Sequence, residues 1–166
     1  MSSAKTVKQL REISGAGMMD CKKALEECDY NIDKAMDILR KNGIAKAQKK
    51  AGRAAKDGVI VPYIHPGSKL GVLLEINCET DFVANTDDFK NLAHNITMQI
   101  AAMNPIYIDK DSNPEIIDDE NPNKDNSLLS QQFIKDNEKS IKDLIEETSG
   151  KLGEKIEIKR FQRFSI

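Results

Sequence analysis

Part-way along this 166-residue chain the hydrophobic period changes, and the change sets the fold class. Through the first 43 residues apolar side chains recur three or four apart, the spacing of one helix face. From Val59 onward they alternate or run nearly continuously, as strands do. Helices followed by a sheet-forming unit make an α+β chain.

Val7, Leu10 and Ile13 mark one face of a first helix, and Ser14-Gly15-Ala16-Gly17 breaks it. A glycine just past a periodic run can take the left-handed conformation that closes a helix. A second helix is expected from Met18 to Glu27, with Cys21, Ala24 and Leu25 inward and one of Met18 and Met19 buried. Asn31 is a suitable N-cap for a third helix, whose stripe is Ile32, Ala35, Met36 and Leu39 and which Gly43 is expected to end. Three helices in residues 1–43 form a module near the lower size limit for independent folding, the kind that docks through a small apolar patch. Residues 44–56, rich in Ala, Lys and Arg, read as a basic helical connector. It is either a solvated face or a contact for an acidic partner surface.

The α+β core unit is expected over 57–166. Val59–Ile64 and Leu70–Ile76 form a hairpin around the turn His65-Pro66-Gly67-Ser68. Pro62 lacks an N–H and suits an edge strand, whereas the apolar run from Leu70 to Ile76 suits a central one. A helix capped by Thr86 or Asp87 carries Phe89, Leu92, Ala93, Ile96, Ile100 and Met103, and Asn104-Pro105 stops it. Residues 106–127 are acidic and broken by Pro114 and Pro122, a flexible loop. Leu128 to Leu152 reads as mostly helical. The segment Lys155–Phe161 alternates as a third strand, with a slip near Lys159-Arg160 that marks a bulge.

Composition narrows the function. A net charge of −2 with 31% charged residues argues against direct nucleic-acid binding, which would show a basic excess. No run approaches the roughly 18 apolar residues of a membrane span, and Met1–Lys5 has no apolar signal core, so a cytoplasmic protein without a membrane partner is expected. Cys21, Cys28 and Cys78 fit neither a disulfide framework nor a zinc site and read as reduced thiols. There is no phosphate-binding Gly-rich loop, and the one conceivable nucleophile pair, Cys78 with His65, is split between opposite ends of the second strand. No catalytic residue, metal or cofactor is expected.

The unusual segment is Asn77-Cys78-Glu79-Thr80-Asp81-Phe82-Val83-Ala84-Asn85, with a Phe and a Val in a polar loop between strand and helix. Phe82 either folds back over the core or stands out as a wedge into a partner, since a buried aromatic anchor is the usual hot spot of an interface.

Leu10-Arg11-Glu12, followed by Gly15-Ala16-Gly17-Met18-Met19-Asp20-Cys21-Lys22-Lys23-Ala24-Leu25, closely resembles the N-terminal signature of the elongation factor Ts family. Asn77–Asn85 resembles the family's second signature, centred on Thr80-Asp81-Phe82-Val83. Gly153-Glu154-Lys155-Ile156 and Lys159-Arg160-Phe161 resemble its closing strand. The likeness covers about residues 4–105 and 128–164, and 106–127 do not match clearly. It implies a UBA-like N-terminal module and a nucleotide-exchange factor, not an enzyme, for the GTPase elongation factor Tu. Arg11, Met18 and Met19 would dock on the partner. Thr80, Asp81, Phe82 and Val83 would act near its magnesium site, with Asp81-Phe82 pushed between two of its helices. His65, in Tyr63-Ile64-His65, would approach its phosphate loop. Longer members divide the Asp-Phe loop and the His between two core subdomains. One core unit carrying both implies a symmetric homodimer. The rival readings are a passive ubiquitin-associated-like docking protein, which would not need the Thr80–Val83 loop, and a thiol enzyme, for which Cys78→Ser would not be harmless.

Overall fold

A computed structural model describes residues 3–109 and 126–166. It divides into two compact units: Met1–Gly52 with Glu146–Glu154, and Arg53–Ile145 with Lys155–Ile166.

The first unit holds α1 (Ser3–Ser14), α2 (Met18–Glu27) and α3 (Ile32–Gln48). Val7, Leu10, Cys21, Ala24, Leu25 and Ala35 form its core, with Ile32, Met36 and Leu39 packed against it. Gly15, at φ +65°, turns the chain out of α1, and its N–H donates to the Arg11 carbonyl at 2.8 Å. The Asn31 side chain caps α3 by accepting the Lys34 N–H at 3.0 Å. Three expectations change here. Met18 and Met19 are both exposed instead of one being buried; Ile13, on the apolar face of α1, is also 58% exposed. The third helix does not stop at Gly43 but runs on to Gln48, so the basic segment 44–56 is only partly helical. The close approach at this point depends on Gly150 instead: a Cβ on it would lie 2.6 Å from the Gly43 Cα, whereas a Cβ on Gly43 would meet open space. Gly150 belongs to α6 (Ile141–Leu152), whose residues from Glu146 on are part of this unit. Arg40 pairs with Glu147 at 3.5 Å along the same crossing.

In the second unit, β1 (Asp57–Ile64), β2 (Leu70–Cys78) and β5 (Glu157–Ser165) form an antiparallel sheet in the order β1-β2-β5. β1 is an edge, as Pro62 requires. Glu75 faces Arg160 and Ile76 faces Ile158, so Lys159 is the extra residue of a bulge, where the alternation slips. Val72, Leu74, Ile76 and Cys78 alternate inward along β2 and are buried. Against β1 and β2 packs α5 (Asp87–Met103), burying Phe89, Leu92, Ala93, Ile96 and Ile100. Thr86 caps its start, and Asn104, left-handed at φ +47°, closes its end before Pro105. The opposite sheet face carries Ile60, Pro62, Ile64, Leu73 and Phe164, all exposed.

Leu128 to Leu152 is not one helix. A 3₁₀ turn (Leu128–Ser130) is followed by the hairpin β3 (Gln132–Phe133) and β4 (Asp136–Ser140), and only then by α6. A reciprocal cap starts α6: the Ser140 hydroxyl accepts the Asp143 N–H at 3.1 Å, and the Asp143 carboxylate accepts the Ser140 N–H at 3.0 Å. Gln99, fully buried on α5, fastens the hairpin. Its amide donates to the Gln131 side chain and the Gln132 carbonyl, and its oxygen accepts the Ile134 N–H at 2.9 Å. Of the acidic loop 106–127, residues 110–125 lie outside the described residues. Its ends meet, with the Ile106 N–H donating to the Asn126 carbonyl at 2.9 Å.

Candidate functional site

Beyond β2 the chain takes one helical turn, α4 (Asp81–Ala84), where a loop is expected from the sequence. The turn is pinned from both sides. The Ala84 N–H donates to the Thr80 carbonyl at 3.2 Å, and the Cys78 thiol donates to the same carbonyl at 3.1 Å. The Asn85 amide donates to the Asp81 carbonyl at 2.9 Å, and the Thr86 hydroxyl to the Val83 carbonyl at 2.8 Å. Val83 and Ala84 face the core, so the helical period turns Asp81 and Phe82 outward. Phe82 is 83% exposed, against 8% for Val83. Of the two placements open to Phe82, the chain adopts the outward one, on a rigid turn. Val83 anchors that turn from beneath, and Thr80 and Asp81 are exposed beside the Phe.

Sequence reasoning missed the support of this turn. The Glu79 carboxylate accepts the Lys155 backbone N–H at 2.7 Å and pairs with Arg53 at 3.3 Å, tying the residue before the turn to the approaches to β5 and β1. Glu79 carries no pattern of its own in the sequence, because both partners are remote along the chain.

His65 stands past the last pair of β1, where Ile64 faces Gly71, while Cys78 faces Asp57 at the other end of the hairpin. The thiol and imidazole are therefore not brought together. His65 is exposed, and its Nδ1 lies 3.0 Å from the Tyr63 hydroxyl. Phe82 lies beyond the Cys78 end, so the length of β2 separates it from His65, about 26 Å at roughly 3.3 Å per residue. In the first unit Arg11, Ile13, Met18 and Met19 are exposed around the α1–α2 turn. Among the described residues no cluster of His, Cys, Asp and Glu is suited to a metal ion, and no helix is long and apolar enough to cross a membrane. Cys21, Cys28 and Cys78 form no disulfide with one another.

The sequence model of the family described as elongation factor TS matches residues 2–122. The chain belongs to the elongation factor Ts family. It is accordingly a translation elongation factor. The elongation factor Ts of Thermoanaerobacter sp. (strain X514) is 49% identical, covering 99% of this chain and 94% of that protein. That of Caldanaerobacter subterraneus subsp. tengcongensis is 48% identical over 99% and 96%, and that of Thermotoga neapolitana 45% over 96% and 94%. The Thermoanaerobacter alignment spans 192 positions, more than the 166 residues here, so that elongation factor Ts carries residues this chain lacks.

Proposed function

We propose that the protein is a guanine-nucleotide exchange factor that binds elongation factor Tu carrying GDP, dislodges the bound Mg²⁺ and speeds GDP release so that GTP can bind. It has no catalytic chemistry of its own, acts in the cytoplasm and needs neither nucleic acid nor a membrane. The observation that carries the reading is the outward display of Phe82 on a pinned turn. GDP leaves such a GTPase slowly because its phosphates and Mg²⁺ are held by many oriented groups. A rigid aromatic that fits only a state without the ion weakens GDP by the factor by which GDP weakens the factor's own binding. Arg11, Met18 and Met19 supply docking, and Asp81 and Phe82, flanked by Thr80 and seated by Val83, supply the wedge.

The working form is a symmetric homodimer. One chain holds Phe82 and His65 at opposite ends of β2, too far apart for one nucleotide pocket. A second copy offers one GTPase the Phe82 of one subunit and the His65 of the other. The exposed apolar sheet face supports this, because such a face is covered in a working assembly. The deciding assay is release of fluorescent GDP from elongation factor Tu with and without the protein; no acceleration refutes exchange activity. Sedimentation of the active complex is expected to contain two copies, and Leu73→Asp on the sheet face to give monomers. A monomer in the active complex refutes the dimer.

A further inference from the structure

The structure assigns Tyr63 a role as the positioning residue for His65; this rests on the reading that His65 meets the partner's phosphate loop. Residues two apart in a strand share a face, so Tyr63 and His65 project to the same side. The backbone of His65 is fixed by the turn: its N–H donates to the Leu70 carbonyl at 2.9 Å, and its carbonyl accepts the Ser68 N–H at 3.0 Å. The imidazole, exposed, is left with its own side-chain torsions. Among the described residues Tyr63 restrains them, through the 3.0 Å bond between its hydroxyl and Nδ1 and a tilted ring contact with centroids 6.2 Å apart.

Tyr63 is itself held. It sits half-buried opposite Val72 on β2, and the ring of His94 on α5 meets it nearly edge-on, with centroids 5.9 Å apart and planes at 67°. Thus α5 steadies the phenol and the phenol steadies the imidazole. In the assigned arrangement the phenol donates, Nδ1 accepts and the ring carries its N–H on Nε2. Among the described residues nothing engages Nε2. The result is an N–H donor of fixed direction at the tip of the hairpin, suited to a phosphate oxygen or a backbone carbonyl of a partner loop. Phenylalanine would give the same strand packing without this restraint.

The test compares wild type, Tyr63→Phe, His65→Ala and the double variant in fluorescent-GDP release from elongation factor Tu, with maximal rate and half-saturating concentration measured separately. Tyr63→Phe is expected to lower the maximal rate about two- to tenfold, the range of one hydrogen bond, and to move the half-saturating concentration by less than about twofold. His65→Ala is expected to lose at least as much, and the double variant no more than His65→Ala. Long-range ¹H–¹⁵N spectra should show His65 protonated on Nε2 alone in the wild type and as a tautomer mixture in Tyr63→Phe. A slowed His65→Ala beside an unaffected Tyr63→Phe, an additive double variant or an unchanged tautomer overturns the assignment while leaving the exchange reading intact. A wild-type rate for His65→Ala overturns the reading of His65, and the assignment with it.

Discussion

On the proposed reading, replacing Phe82 by alanine separates partner binding from folding, because the exposed side chain would contribute to the first and hardly contributes to the second. With 83% of its surface exposed, Phe82 has about four-fifths of its transfer free energy still available for an interface. Fully burying a Phe side chain is worth about 1.5–3 kcal/mol, so the share left for the partner is about 1.2–2.5 kcal/mol. At about 1.4 kcal/mol per tenfold, Phe82→Ala should slow factor-stimulated GDP release about 8- to 60-fold. Stability should change by no more than about 0.5 kcal/mol, as at other exposed positions. Val83, the next residue, gives the converse. It is 8% exposed, and Val83→Ala removes two buried carbons, costing about 1–2 kcal/mol and lowering Tm by about 2–8 °C. Stopped-flow release of fluorescent GDP and thermal unfolding measured on both variants test the pair. Unchanged release by Phe82→Ala refutes the wedge, and a fall in Tm as large as that of Val83→Ala refutes the argument that the ring stands free.

Gly150→Ala would drive a methyl group into the Gly43 backbone and should cost about 1–3 kcal/mol, whereas Gly43→Ala meets open space and should gain up to about 1 kcal/mol of helix propensity; denaturant titration reads both. Gln99→Leu strips partners from the Ile134 N–H and the Gln132 carbonyl, both only part-buried, at about 0.5–1.5 kcal/mol for each lost bond, and faster hydrogen exchange at the Ile134 amide is the specific sign. Met18→Ser and Met19→Ser, at 48% and 62% exposure, should each raise the half-saturating concentration for exchange about 3- to 20-fold with the maximal rate kept; a lowered maximal rate argues against a docking role.

What could be read in the sequence was what local chemistry decides. The period-2 strands, the edge placement that Pro62 demands, the bulge at Lys159 and the caps at Asn31, Thr86 and Asn104 each follow from a few neighbouring residues, and each is present. What could not be read depends on remote partners. Gly43 looks like a helix stop, yet α3 runs through it, and the glycine that the crossing requires is the remote Gly150, whose Cβ would strike the Gly43 backbone. Ile13 keeps the spacing of an inward residue, but the three-helix core closes without it. The apolar residues between Leu128 and Leu152 matched a helix in composition, yet Gln99 holds a hairpin there; the pairing of Ser140 with Asp143 was a local signal for the start of α6 that the apolar spacing obscured. The direction of Phe82 was open for the same reason. It turns outward because Val83 and Ala84 fill the space beneath the turn.

The apolar run of β2 ties the sheet to the proposed mechanism. A near-continuous run from Leu70 to Ile76 is the pattern of a strand covered on both faces. Within this chain α5 covers one face, and Leu73 remains exposed on the other, with Ile60 and Ile64 of β1 and Phe164 of β5 on the same side. Among the described residues no second layer covers that face. In the proposed homodimer a second copy provides that layer and also answers the separation of Phe82 from His65 along β2. On the proposed reading the two facts have one cause. Docking through Arg11, Met18 and Met19 adds affinity in every nucleotide state and so cannot expel GDP. Only contacts made better in the ion-free state can, and one aromatic ring supplies about two orders of magnitude at most. In the proposed dimer a second such contact comes from presenting both ends of the hairpin, one from each copy, to one partner.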